Sequence, residues 1–299
     1  MKSRQLKFSI AVQSLPFKGQ RGFVLVIALI VLAAMTLAAA ARGLPVICQK
    51  PMAPDFATAA DMVGDCTAYG TPLLINENWR WQPQIRALAA ALLTAPIGRP
   101  WRAQINFANS FPVFENQPFL RDLGQFILTD IGTHIFDVMR YLFGEARTVC
   151  AHTHRVAPGI SGEDAATALF GMRSGMTVAV NLSYASRVRG ERFPEVFITV
   201  EGEDASLALE GDFKLHLVTR AGPTTTRHPP PVYPWADPRY LVVHASIVAA
   251  QRNLLASLRG EGTAETTGAD NLETLRLVFA CYESARTGQV VTLPAPAGS

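Results

Sequence analysis

The stretch Thr129-Asp130-Ile131-Gly132-Thr133-His134-Ile135-Phe136-Asp137 sets two carboxylates around one imidazole at helical spacing. Asp130–His134 is an i,i+4 pair and His134–Asp137 an i,i+3 pair, so on a helix each carboxylate stands near the ring. A carboxylate beside an imidazole fixes its tautomer and raises its basicity, which suits general acid–base work near neutral pH. A helix-surface histidine with carboxylates nearby by chance has the same spacing. Gly132, in mid-helix, costs about 1 kcal/mol against alanine, and a closely approaching substrate or backbone would account for it. The second candidate is Lys50, between the apolar run LPVIC at 44–48 and Pro51. The carboxyl ends of parallel strands are where ligands bind, and an ammonium there can donate a proton or polarise a carbonyl. A solvated loop lysine is the bland alternative.

These residues need elements to hold them. The run at 44–48 reads as a buried parallel strand, 54–69 as a helix and 73–76 as a second strand, which makes one βαβ unit. A helix over 82–93, a strand over 101–107 and a strongly amphipathic helix over 126–143 follow. From about 148 to 219 the period changes to two, and 165–172, 177–183, 196–201, 206–210 and 214–218 read as antiparallel strands. Residues 222–240 hold six prolines and read as a long surface loop. Helices over 243–258 and 271–287 and a short strand over 290–293 close the chain. The pattern is an α/β piece followed by an α+β piece.

The chain has 299 residues, 49% of them hydrophobic and 17% charged, which excludes a disordered chain and suffices for two domains. Five of its 27 basic residues and none of its 24 acidic ones lie in residues 1–22, so the rest carries a net −2. That body is no nucleic-acid groove. Cys48, Cys66, Cys150 and Cys281 form no CxxC pair, and His152 and His154 lack a third ligand, so neither a disulfide framework nor a metal site is expected. Residues 23–41, FVLVIALIVLAAMTLAAAA, carry no charge and as a helix span roughly 29 Å, close to the hydrocarbon thickness of a bilayer. The five preceding cations would keep the N-terminus in the cytoplasm and export the body. A cleaved signal peptide, with Ala39-Ala40-Ala41 as its small-residue site, and a gene-fusion artefact are the alternatives, the last leaving a cytoplasmic body. The stretch from Gly19 to Gly43, with its GQRGF opening and ARG ending, resembles the start of a PilX-type minor pilin. Ile27 stands where a major pilin places Glu.

Six segments, in order, resemble the Gfo/Idh/MocA family of nicotinamide-dependent oxidoreductases. Cys48-Gln49-Lys50-Pro51 is similar to its E-K-P loop, and Asn78-Trp79-Arg80-Trp81-Gln82-Pro83, preceded by Glu77, to its N-x-R-F-x-P segment. Ile97-Gly98-Arg99-Pro100 matches its "iG" turn, and Asp130-x-Gly132-x-His134-x-x-Asp137 its D-x-G-x-H-x-x-D helix. Glu201-Gly202-Glu203-Asp204-Ala205 matches its "EGt-G" hairpin, and Gly268-Ala269-Asp270 through Gly288 its C-terminal helix. The resemblance runs over residues 44–293.

It implies a partial Rossmann-type βαβ unit followed by a domain with a large, mainly antiparallel sheet. With the apolar helix, the organisation becomes 1–42 basic segment and apolar helix, 43–78 remnant of the dinucleotide-binding domain, and 79–299 substrate-binding and dimerisation domain. It also implies hydride transfer between NAD or NADP and a sugar, cyclitol or related polyol. Lys50, Asp130 and His134 would be catalytic, with His134 the general base; Gln49, Lys50 and Pro51 would meet the cofactor; Arg80, Asp130 and Tyr184 would meet the substrate. A homo-oligomer is implied through the open sheet face. The sequence has no G-x-G-x-x-G turn after a strand, and Gln49 replaces the loop glutamate. Impaired cofactor binding is therefore expected. The alternative is a membrane-anchored, non-catalytic carbohydrate-binding or assembly protein, or a truncated or fused gene product.

Overall fold

Val46–Gln49 (β1) and Leu73–Asn76 (β2) pair in parallel, with Val46 opposite Leu73 and Gln49 opposite Asn76, in a computed structural model that describes residues 31–190 and 193–296. The helix between them, Phe56–Ala68 (α2), starts where the Asp55 carboxylate accepts the Thr58 amide at 2.8 Å. Its Ala59, Met62 and Cys66 pack with Cys48, Met52, Ile75 and Leu275 into a small core. This is the expected βαβ unit. All four cysteines are free.

The preceding helix, Val31–Ala40 (α1), buries Thr36 and Ala40 and packs Leu32 and Ala33 on the same small core. The described half of the apolar segment thus lays one face on the protein. Residues 1–30, with the first twelve residues of the pilin-like stretch and the first part of the expected membrane span, lie outside the described residues. Among the described residues, one helix, Pro238–Leu258, is long and apolar enough to cross a membrane.

After β2 come a 3₁₀ turn, Trp79–Trp81, and a helix with proline at its start, Pro83–Thr94 (α3). The large sheet has nine strands. They are Pro100–Ala108 (β3), Ala146–His154 (β4), Ala165–Met172 (β5), Thr177–Ser183 (β6), Phe197–Gly202 (β7), Ser206–Glu210 (β8), Lys214–Thr219 (β9), Gly222–Arg227 (β10) and Val291–Thr292 (β11). Their spatial order is β10-β9-β8-β7-β3-β6-β5-β4-β11. Within this sheet, among the described residues, only β3 and β6 are parallel neighbours. Period-two alternation buries one face: Ala166, Ala168, Phe170 and Met172 of β5 point inward, and Leu169 is exposed. Across the other face Thr167, Asn181 and Asn106 form a hydrogen-bonded polar ladder. Thr133–Phe143 (α5), following a short helix Val113–Asn116 (α4), and Gly268–Thr287 (α7) cover the buried face around Phe107, Phe126, Phe136 and Phe170. Leu241–Leu258 (α6) lies beside the turn at 79–81, tied by an Asn78–Ser246 hydrogen bond of 2.7 Å.

The fold is the expected one, with two local corrections. Residues 222–240 are not all loop, because Gly222–Arg227 pairs with β9 as an edge strand. Its threonines are exposed and show no apolar alternation, so pattern reading passes over it. Residues 126–143 are not one continuous α-helix: Leu128–Gly132 is a π-helical turn ahead of α5.

Two glycines give opposite expectations. A Cβ on Gly202 would press into the Ile97 carbonyl, whereas one on Gly132 would make ordinary contacts of 3.5–3.6 Å. No backbone among the described residues approaches Gly132 closely enough to exclude a side chain there. Gly202→Ala should destabilise by about 1–3 kcal/mol, and Gly132→Ala should be neutral or stabilise by up to about 1 kcal/mol. Denaturant unfolding of both variants checks the contrast.

Candidate active site

The carboxyl ends of β1 and β2 bring the candidate residues together. Lys50 follows β1 directly, and its Nζ donates to the Asp130 carbonyl oxygen at 2.9 Å and to Asp130 Oδ1 at 3.0 Å. Asp130 lies on the π turn. The turn re-aims its carbonyl, which also accepts the Thr133 hydroxyl at 2.9 Å. The buried Glu163 carboxylate anchors the start of this segment by accepting the Phe126 and Leu128 amides at 3.2 Å each and the Tyr282 hydroxyl at 2.6 Å. π turns of this kind concentrate at functional sites.

Tyr184, after β6, stacks on Phe126 and points its hydroxyl at Asp130 Oδ2, 3.5 Å away. Burial, then the Asp130 charge, holds this phenol well above its ordinary range, so it stays a neutral donor. The Asp130 side chain keeps 29% exposure and that of Lys50 16%, so both reach the cleft. Gln49 is exposed and Pro51 half-buried beside them.

His134 sits in the first turn of α5, with its ring stacked on the Trp79 indole, centroids 4.7 Å apart and planes 10° off parallel. Its Nδ1 is 2.5 Å from Glu77 Oε1. Burial pushes the imidazole below its ordinary value, opposed by the Glu77 charge and assisted by Lys50. Burial would raise the Glu77 carboxyl, but His134, Lys50 and the Trp79 amide together hold it below the usual carboxylate value. At neutral pH the pair is therefore carboxylate and neutral imidazole. A carboxylate only accepts, so Nδ1 carries the proton and Nε2 the lone pair.

Lys50, Asp130, His134 and Tyr184 thus converge, and Arg80 does not join them. It is buried, and its guanidinium is committed within the protein. Nε donates to Asp137 Oδ2 at 2.8 Å, Nη2 to Asp137 Oδ1 at 2.5 Å and Asp270 Oδ2 at 2.8 Å, and Nη1 to the Glu265 carbonyl at 3.1 Å. Arg80 is a brace between the 79–81 turn, α5 and α7, in place of the expected substrate contact. Asp137, spaced as a second carboxylate for His134, is spent on Arg80. The carboxylate that reaches Nδ1 is Glu77, 57 residues earlier in the chain. No spacing rule links the two residues. The available signal was an acidic residue directly after an apolar strand.

A family model described as the GFO/IDH/MocA C-terminal domain matches residues 85–208. A D-apiose dehydrogenase of Paraburkholderia graminis is 43% identical over 255 residues, covering 85% of this chain and 68% of its own. A D-apiose dehydrogenase of Rhizobium rhizogenes is 38% identical over 257 residues, covering 86% and 74%. Among solved structures, an oxidoreductase from Agrobacterium radiobacter, in complex with NAD+, L-tartaric acid and magnesium, superposes with a TM-score of 0.85 at 37% identity, over 88% of this chain and 77% of that one. The chain belongs to the Gfo/Idh/MocA family of oxidoreductases.

Breaking the brace tests its structural role. Arg80→Met strands the fully buried Asp137 carboxylate and should cost about 3–5 kcal/mol, whereas adding Asp137→Leu should recover most of that loss. Chemical denaturation of the single and double variants measures both. Equal loss in the two would contradict the brace.

Proposed function

We propose that the chain is an NAD(P)-dependent dehydrogenase that oxidises a hydroxyl of a sugar or related polyol. The observation that carries this reading is the convergence of Lys50, Asp130 and His134 where β1 and β2 end. The family's cofactor, NAD or NADP, has a partial fit here. Asn76 Oδ1 at the end of β2 is a buried acceptor without a partner among the described residues, which suits a donor-bearing ligand at the strand ends. Gln49, Lys50 and Pro51 would hold its nicotinamide end.

A bound nicotinamide supplies the hydride acceptor. Around it, His134 Nε2 takes the proton of the reacting hydroxyl as the C–H hydride departs, leaving a carbonyl. Two of the three Lys50 protons are held by Asp130, and the third is free to orient that oxygen and stabilise its developing charge. Asp130 fixes Lys50 and accepts a second substrate hydroxyl, and Tyr184 steadies Asp130. The same reading includes a homo-oligomer joined through the open sheet face, where Trp101, Leu169 and Val218 are exposed.

The rival is a binding protein that keeps the sugar cleft without turnover. With D-apiose and NAD+ above about 1 mM, the folded chain should form NADH. His134→Ala and Lys50→Ala should each lower kcat/KM by about 10²–10⁴-fold without loss of fold. The rate should fall on the acid side as the His134 ring becomes protonated, with a midpoint below about 6.5, since burial depresses that ring. Sugar binding without NADH formation, across aldoses and polyols, would overturn the dehydrogenase reading in favour of the rival.

A further inference from the structure

Glu77 is fully buried, yet it neither ends a helix nor pairs with an arginine. Its Oε1 accepts the Asn78 and Trp79 amides at 2.9 and 3.1 Å and lies 2.5 Å from His134 Nδ1. Its Oε2 has no hydrogen-bond partner among the described residues. Burying a carboxylate forfeits its hydration, and an apolar side chain of similar volume would stabilise this position at least as well. Backbone amides alone could be satisfied by a neutral amide or by a turn. What the carboxylate adds is a negative charge and an obligate acceptor placed on one nitrogen of one histidine. The Trp79 ring, held by the same turn, stacks on that imidazole and fixes its plane.

We propose that Glu77 is the positioning residue for His134: its carboxylate takes the Nδ1 proton donor and so leaves Nε2 as the unprotonated atom that faces chemistry. The role in proton transfer rests on the sugar-oxidoreductase reading, whereas the role in fixing the tautomer does not. Glu77 acts through His134 and touches no reacting atom. The charged groups bearing on the ring are Glu77 from the end of β2, Lys50 from the loop after β1 and Asp130 from the π turn. Arg80 and Asp137, paired with each other, bear on Glu77 from the 79–81 turn and from α5. Glu77 and Asp130 strengthen the base, while Lys50 and burial weaken it. Lys50 and Asp130 answer each other directly, so Glu77 is the carboxylate left to offset burial.

The experiment uses the full chain with ¹⁵N-labelled histidine, the His134 signals being assigned by their loss in His134→Gln. In the unmodified protein near neutral pH, His134 should show a protonated Nδ1 and a bare Nε2. In Glu77→Gln the amide oxygen still accepts Nδ1–H, so the ring stays in place but loses its charge support. Its titration should move to lower pH, and the acid limb of kcat/KM should move with it, with kcat at the plateau falling about tenfold or more. Glu77→Asp keeps the charge at shorter reach. It should restore part of the titration shift and serves as the second variant if Glu77→Gln does not fold. An Nε2–H tautomer in the unmodified protein, or a His134 titration unchanged in folded Glu77→Gln, would overturn the proposal. A bare Nε2 and a shifted titration in a chain that oxidises no sugar would leave the positioning role standing and remove only the activity.

Discussion

The Arg80 guanidinium is the joint on which the arrangement turns. It leaves the 3₁₀ turn after β2, forks onto Asp137 of α5 and reaches Asp270 in the first turn of α7. The small parallel sheet, the helix carrying His134 and the long helix covering the large sheet are thereby bound to one planar cation. Arg140 extends the joint, donating to the Asp270 carbonyl and the Thr274 hydroxyl while also holding Glu145. Every member of this cluster is answered by an opposite charge or a hydrogen bond, the condition under which buried ions are tolerable. A lysine in place of Arg80 has no fork to span two carboxylates.

With that joint fixed, the site is assembled from pieces that local structure alone would not bring together. The strand end of β1 delivers Lys50. The π turn supplies a carbonyl and a carboxylate to receive it. The end of β2 delivers Glu77 and Trp79 to the His134 ring. The consequence is a division of charge: the Lys50 cation is matched by Asp130 at the cleft, and the imidazole is kept neutral by burial, with its far nitrogen tied down. A neutral imidazole oriented in this way is suited to accept a proton near pH 7.

Much of this was legible in the sequence, for physical reasons. The βαβ unit announced itself through an apolar run, a helical period and a second apolar run. The strands of the large sheet showed their period of two. Lys50, Asp130 and His134 stood in motifs whose order could be matched to a family. The failures share a cause, which is that side-chain partnership across long sequence separation leaves no local pattern. Asp137 had helical spacing to His134 but was claimed by Arg80 from 57 residues away. Arg80 looked like a cleft residue because its segment lies near the cleft, and only the fold shows its donors consumed. Edge strand Gly222–Arg227 escaped because a solvated edge needs no apolar alternation. The π turn escaped because its extra residue leaves the amphipathic pattern intact.

The most direct test is a crystal structure of the chain with NAD+ and D-apiose or another aldose soaked in. The proposed site requires one sugar hydroxyl within about 3 Å of both His134 Nε2 and Lys50 Nζ, with a second hydroxyl at Asp130 and the Arg80 cluster untouched. An aldose bound away from His134, or bound directly by Arg80, would contradict it.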